Sequence, residues 1–374
     1  MTIPRTIVTD PRLSHGRWLR IPGPTVVHPL AVEAQTADMI PHRGHQMYAF
    51  MDGLRAKLRQ AHFTEQQVLV WAGSGSAGWE AGIVNLLSPG DTVVATICGA
   101  FGDRFATIGE KFGLDVCRVE VEWGQGISAE QFAEALERAG DVKAVFITHN
   151  ETSTGVTLPL REMARIARER GALILVDAVS SAGAIELRVD EWDLDWVFSG
   201  VQKAWMCPPG LMVAAISERA MAASKTAGFN RFYFDIAPMA KAAAEGSTAT
   251  TPAVSLLYAL DAAVDVMLEE GMEQVWQRHL SLAAFVRQGL AEQGIEVLAE
   301  PGYESASITA KLTPDPWTAS EFQERVETES QIVLATGQGP LAEKVNRIGH
   351  MGWVAEPELQ ATLEAIARQL GTRS

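Results

Sequence analysis

The stretch DLDWVFSGVQKAWMCPPG, residues 193–210, runs a short apolar segment into Gly200 and then presents one lysine, Lys203, just ahead of the turn Pro208-Pro209-Gly210. A nearly continuous apolar run of this length has the texture of a β-strand buried on both faces. The pattern recurs on either side of it. Between residues 66 and 216 the segments QQVLVWAG, DTVVATIC, GLDVCRVEV, VKAVFITHN, GALILVDAVS and GLMVAAIS read the same way, and amphipathic pieces such as SAEQFAEALERAG and REMARIARERG separate them. Strands alternating with helices predict an α/β fold built on a doubly wound, mostly parallel sheet.

The texture changes near TTPAVSLLYALDAAVDVMLEEG, which predicts a long helix, followed by helical QVWQRHLSLAAFVRQGLAEQG and strand-like SASITAKL and QIVLAT. We therefore expect an N-terminal arm over 1–20, a large domain over 21–255 and a smaller α+β domain over 256–374. A chain of 374 residues is long enough for two such cores. The segment KAAAEGSTATTP, residues 241–252, reads as a loop before the long helix.

Composition narrows the function. A net charge of −15 argues against a nucleic-acid partner, because that affinity comes from Lys and Arg neutralising phosphates. No uncharged apolar run reaches the roughly 18 residues that a membrane span needs. The N-terminus lacks the apolar core of a signal peptide, so the cytoplasm is the expected compartment. Three scattered cysteines, Cys98, Cys117 and Cys207, suit neither a disulfide framework nor a metal knuckle. His42, His45, His149 and His350 also lack metal-ligand spacing, and no metal is expected.

Open sheets of this class bind ligands at the C-terminal ends of their strands, so the residues that end the apolar runs matter most. QVLVWAG gives way to Ser74, Gly75 and Ser76 at the start of a helical segment, where free amides and two hydroxyls suit a phosphate. VFITHNETSTG ends in Thr152, Ser153 and Thr154. LILVDAVSSAG ends in Asp177, a carboxylate abutting an apolar run, and VFSGVQK ends in Lys203. Singly, the two hydroxyl-rich ends read equally well as packing turns, and a solvated strand end is the better reading of Lys203. Jointly they match the parts a pyridoxal 5′-phosphate site requires: a lysine for the aldehyde, an acid for the ring nitrogen and amides for the phosphate.

The segments IPGPT (21–25), GSGSAGWEA, GAFGDRFATIGEKFG, THNETSTGV, VDAVSSAG, SGVQKAWMCPPG, TTPAVSLLYALD and RIGHMG (347–352) occur together in this order, and together they resemble the class V, fold type I, aminotransferases of the alanine/serine–glyoxylate group. The resemblance implies that Ser74, Gly75, Ser76 and Gln202 contact the phosphate and that Phe101 and Val179 cover the two faces of the ring. It implies that Thr152 meets the ring hydroxyl region, Asp177 pairs with the ring nitrogen, and Lys203 binds the cofactor and moves the proton. Arg347 would clamp the substrate carboxylate in the bidentate manner that a guanidinium allows.

Two positions depart from the family. Phe101 stands where relatives often have tryptophan, and the loop before TTPAVS has hydroxyls where relatives place an aromatic residue reaching the neighbouring subunit. Cross-subunit phosphate contact would then fall to Thr250 and Thr251 in a homodimer with a shared active site. The expected reaction is transfer of an amino group from alanine or serine to glyoxylate or pyruvate. A class V transaminase for another amine (an aminophosphonate, ureidoglycine or pyridoxamine) is the alternative.

Overall fold

A computed structural model describes residues 18–371. Most of the expected N-terminal arm, residues 1–17, and the last three residues lie outside the described part. Seven strands form the main sheet: β1 (Gln67–Ala72), β2 (Thr92–Ile97), β3 (Asp115–Glu120), β4 (Ala144–Thr148), β5 (Leu173–Asp177), β6 (Trp196–Gly200) and β7 (Leu211–Ile216). Their spatial order is β1-β7-β6-β5-β4-β2-β3, and only β7 runs against its neighbours. The apolar runs of the sequence are thus strands of a mostly parallel sheet flanked by helices, as expected.

The near-continuous apolarity of these strands has a simple cause. Val68, Val70, Val145, Ile147, Ile174, Val176 and Val197 pack into one core cluster, while their chain neighbours Leu69, Trp71, Phe146, Leu175 and Phe198 pack into another. Successive side chains point to opposite faces, and both faces are covered by helices. The covering helices start where local chemistry allows. The helix Ala129–Ala139, for example, begins in a capping box between Ser128 and Gln131.

The helix Val254–Glu270 buries Leu257, Leu260, Val264 and Met267 in the first of these clusters. A separate cluster forms around Leu282, Val286, Phe322, Ile348, Leu363 and Ile366, over the antiparallel strands β8 (Ile308–Leu312), β9 (Ala335–Thr336) and β10 (Val345–Gly349). Trp18–Leu19 pairs with Ile332–Val333, so the chain enters beside this second core and then passes over the main sheet. Among the described residues no helix is long and apolar enough to cross a membrane.

Candidate active site

The C-terminal ends of the parallel strands converge on a cavity of about 270 Å³ lined by Ser74, Gly75, Ser76, Phe101, Thr152, Asp177, Val179, Gln202 and Lys203. These are nine of the twelve positions singled out from the sequence. Arg347 is buried just behind that wall, and Thr250 and Thr251 do not line their own chain's cavity. Gly23, Pro24, Trp79, Asn150 and Pro209 complete the lining.

Lys203 follows β6 and is buried, with Nζ donating to the Pro22 carbonyl at 2.6 Å. The IPGPT segment lies directly on its stem. Gly23 has φ +132°, and a Cβ there would come within 2.6 Å of the Lys203 Cδ, so both conformation and space require glycine. Burial, with help from the nearby Arg347 charge, lowers the amine to about 8, against the pull of Asp177 and Glu151. The amine therefore reaches its neutral state, in which it can act as a nucleophile, at a lower pH than an ordinary lysine.

Asp177 ends β5. Its Oδ1 accepts from the Val179 amide and its Oδ2 from the Trp79 indole, both at 2.9 Å. Burial pushes its carboxyl up to about 7; the Val179 bond opposes this, the Glu151 charge adds to it, and the Trp79 bond opposes it. A cationic partner in the cavity would restore the ionised form. Thr152 donates from Oγ1 to Ser180 Oγ at 2.9 Å, while Asn150 donates to Ser180 Oγ at 2.8 Å and to Ser307 Oγ at 3.1 Å.

Arg347 sits in β10 of the second core and reaches across to the first. Its Nε donates to the Thr336 carbonyl at 2.9 Å and its Nη1 to the Thr152 carbonyl at 3.1 Å. Burial lowers it to about 10, opposed by Glu151, and it has no salt bridge among the described residues. An arginine held by neutral carbonyls at the edge of an enclosed site retains its charge for an incoming anion.

The residues fit pyridoxal phosphate. The helix Ser76–Leu86 begins at the cavity with no side-chain cap on its first turn, which suits a phosphate. A Cβ on Gly75 would lie 2.6 Å from Val179 Cγ2, so the backbone there forms a close cradle. Gln202 carries a buried Oε1 with no partner. Among the described residues no cluster of His, Cys, Asp or Glu could hold a metal ion.

The sequence reading did not single out Trp79, Asn150 or Glu151. All three lie inside the quoted segments GSGSAGWEA and THNETSTGV, but a helical tryptophan and polar residues in a turn carry no local mark of a role.

A fold and a site of this kind define a pyridoxal-phosphate-dependent transaminase. The chain belongs to the class-V aminotransferase family, whose sequence pattern matches residues 30–345. It is 36% identical to an L-aspartate–glyoxylate aminotransferase of Paracoccus denitrificans, over 94% of this chain and 91% of that one. It is 33% identical to a serine–glyoxylate aminotransferase of Hyphomicrobium methylovorum, over 93% and 88%. The crystal structure of an alanine–glyoxylate aminotransferase from Nostoc sp. superposes with a TM-score of 0.91 at 29% identity, covering 99% of this chain and 100% of that one. The fold is that of the fold type I aminotransferases.

Proposed function

We propose that this aminotransferase moves an amino group from a small amino acid, alanine or serine, to glyoxylate or pyruvate, the enzyme carrying the nitrogen between two half-reactions. The observation that carries this reading is the cavity that joins Lys203, Asp177 and the uncapped helix start, with Arg347 as the unpaired cation behind it. Pyridoxal phosphate supplies the aldehyde that takes the amine and the ring that draws electrons from the substrate α-carbon. Ser74, Gly75, Ser76 and Gln202 would hold its phosphate, Phe101 and Val179 its two faces, and Thr152 its hydroxyl edge. Asp177 keeps the ring nitrogen protonated. Lys203 would take and return the proton at the substrate α-carbon, its lowered basicity matching that task. Arg347 orients the α-carboxylate.

The working unit is a homodimer in which Thr250 and Thr251 of one chain complete the phosphate site of the other. Both threonines stand clear of their own cavity, their loop is anchored at Ser247 and Thr248 by hydrogen bonds from Arg43 and Arg55, and Phe232 is 91% exposed, as a side chain awaiting a partner would be. Three free thiols fit a cytoplasmic home. The test is a half-reaction screen. The pyridoxal form, mixed with alanine, serine, aspartate, pyridoxamine and an aminophosphonate in turn, should lose its visible absorption fastest with alanine or serine. Faster loss with an amine that lacks an α-carboxylate would overturn the substrate assignment.

A further inference from the structure

Glu151 is a fully buried carboxylate that no step above uses. It follows β4 in a two-residue ladder with Val156, and its carboxylate accepts four hydrogen bonds. Its Oε2 accepts from the amides of Phe101 and Gly102, at 3.0 Å each. Its Oε1 accepts from the Ser153 amide at 3.0 Å and the Ser153 hydroxyl at 2.6 Å. Ser153 Oγ in turn accepts from the Ala100 amide at 2.9 Å.

The first three amides of the helix Ala100–Lys111 are therefore satisfied by two residues some 50 positions away. The helix's own N-cap position, Gly99, supplies no side-chain cap. It has no room for one, since a Cβ there would lie 2.4 Å from both Glu151 Cγ and Ser153 Oγ. A serine at an open N-cap would do such capping locally without burying a charge. What the remote cap adds is location. It grips the turn that carries Phe101, and the next residue after it, Thr152, is gripped by Arg347 through its carbonyl and by Ser180 through its hydroxyl.

We propose that Glu151 is a positioning residue for the reaction, which fixes Phe101 in the cavity wall for stacking on the cofactor ring. Burial pushes the Glu151 carboxyl up, and the four hydrogen bonds together with the positive end of the helix favour its ionised form. The proposal rests on the cofactor reading above, and wild-type binding of pyridoxal phosphate to the cofactor-free chain tests that reading separately.

The experiment is a double-mutant cycle on the dissociation constant of pyridoxal phosphate, read by absorbance on titration into the cofactor-free protein. Glu151→Gln and Phe101→Leu should each weaken binding on the order of tenfold. The double variant should bind no more weakly than Phe101→Leu alone, because Glu151 acts through that ring. Effects that multiply, or a Glu151→Gln variant that binds like wild type, would overturn the proposal. Ile108→Ala, which loosens the same helix from its packing side, should lower Tm but leave the dissociation constant unchanged; equal weakening at equal loss of Tm also overturns it. If Glu151→Gln does not fold, Ser153→Ala, which removes two links of the same cap, replaces it in the cycle with the same expected and contrary outcomes.

Discussion

The indole of Trp79 donates to Asp177 Oδ2 at 2.9 Å, tying the acid at the end of β5 to the helix whose first turn opens on the cavity. That bond favours the ionised acid. Trp79→Phe keeps most of the ring volume and deletes the donor, so turnover should fall on the order of tenfold, with the pH profile moved toward higher pH. An unmoved profile would show that Trp79 only packs.

Asp177 itself couples function to stability. Its folded value of about 7 stands above the ordinary 3.8, so the cofactor-free folded chain binds a proton that the unfolded chain releases. The sign follows directly: stability is lost as pH rises from about 4 to about 7. Asp177→Asn removes that loss. The cofactor-free variant should melt above wild type at about pH 8, the gap shrinking as pH falls toward about 4, while turnover drops by orders of magnitude. Melting curves and steady-state rates measured side by side decide both halves.

Lys203 should be the residue that borohydride fixes to the cofactor, identified by peptide mapping, and Lys203→Ala should abolish turnover. In the cofactor-free protein its reaction with an amine reagent should titrate near 8, well below the usual 10.5. Labelling at Lys225 or Lys241 instead would reassign the attachment site.

For Arg347, replacement by Ala should raise KM for both the amino acid and the oxo acid on the order of 30-fold or more, leaving the cofactor spectrum intact. Arg347→Lys should restore little, because the planar fork is lost. The bonds to Thr152 and Thr336 carbonyls mean that Tm falls too. A lowered Tm with unchanged KM would make the arginine a purely structural strut.

The proposed sharing of the site between chains is tested by mixing two variants expected to be inactive, Lys203→Ala and the double variant Thr250→Ala, Thr251→Ala. Each hybrid contains one site in which the lysine of one chain meets the threonines of the other. Activity should reappear on subunit exchange. A mixture as inactive as its components, with exchange confirmed by mass, would place the phosphate site within one chain.

Much of this molecule was legible along the chain. A strand buried on both faces leaves a continuous apolar run, and Asp177 and Lys203, each ending such a run, stand out once they are read together with the turn at Ser74, Gly75 and Ser76, although neither does so singly. Glu151 and Trp79 do not stand out even so. Glu151 reads as one more polar residue in a turn, and Trp79 as helix packing. Their roles arise from the sheet order, which places β4 between β5 and β2 and so brings the loop after β4 against both Asp177 and the helix carrying Phe101. The sequence by itself determined the strand and helix pattern, the polar strand ends and the family. Only the tertiary structure decided the partners, because hydrogen bonds spanning 98 residues, as from Trp79 to Asp177, or 195, as from Arg347 to Thr152, depend on which strands lie side by side, and no local spacing encodes that.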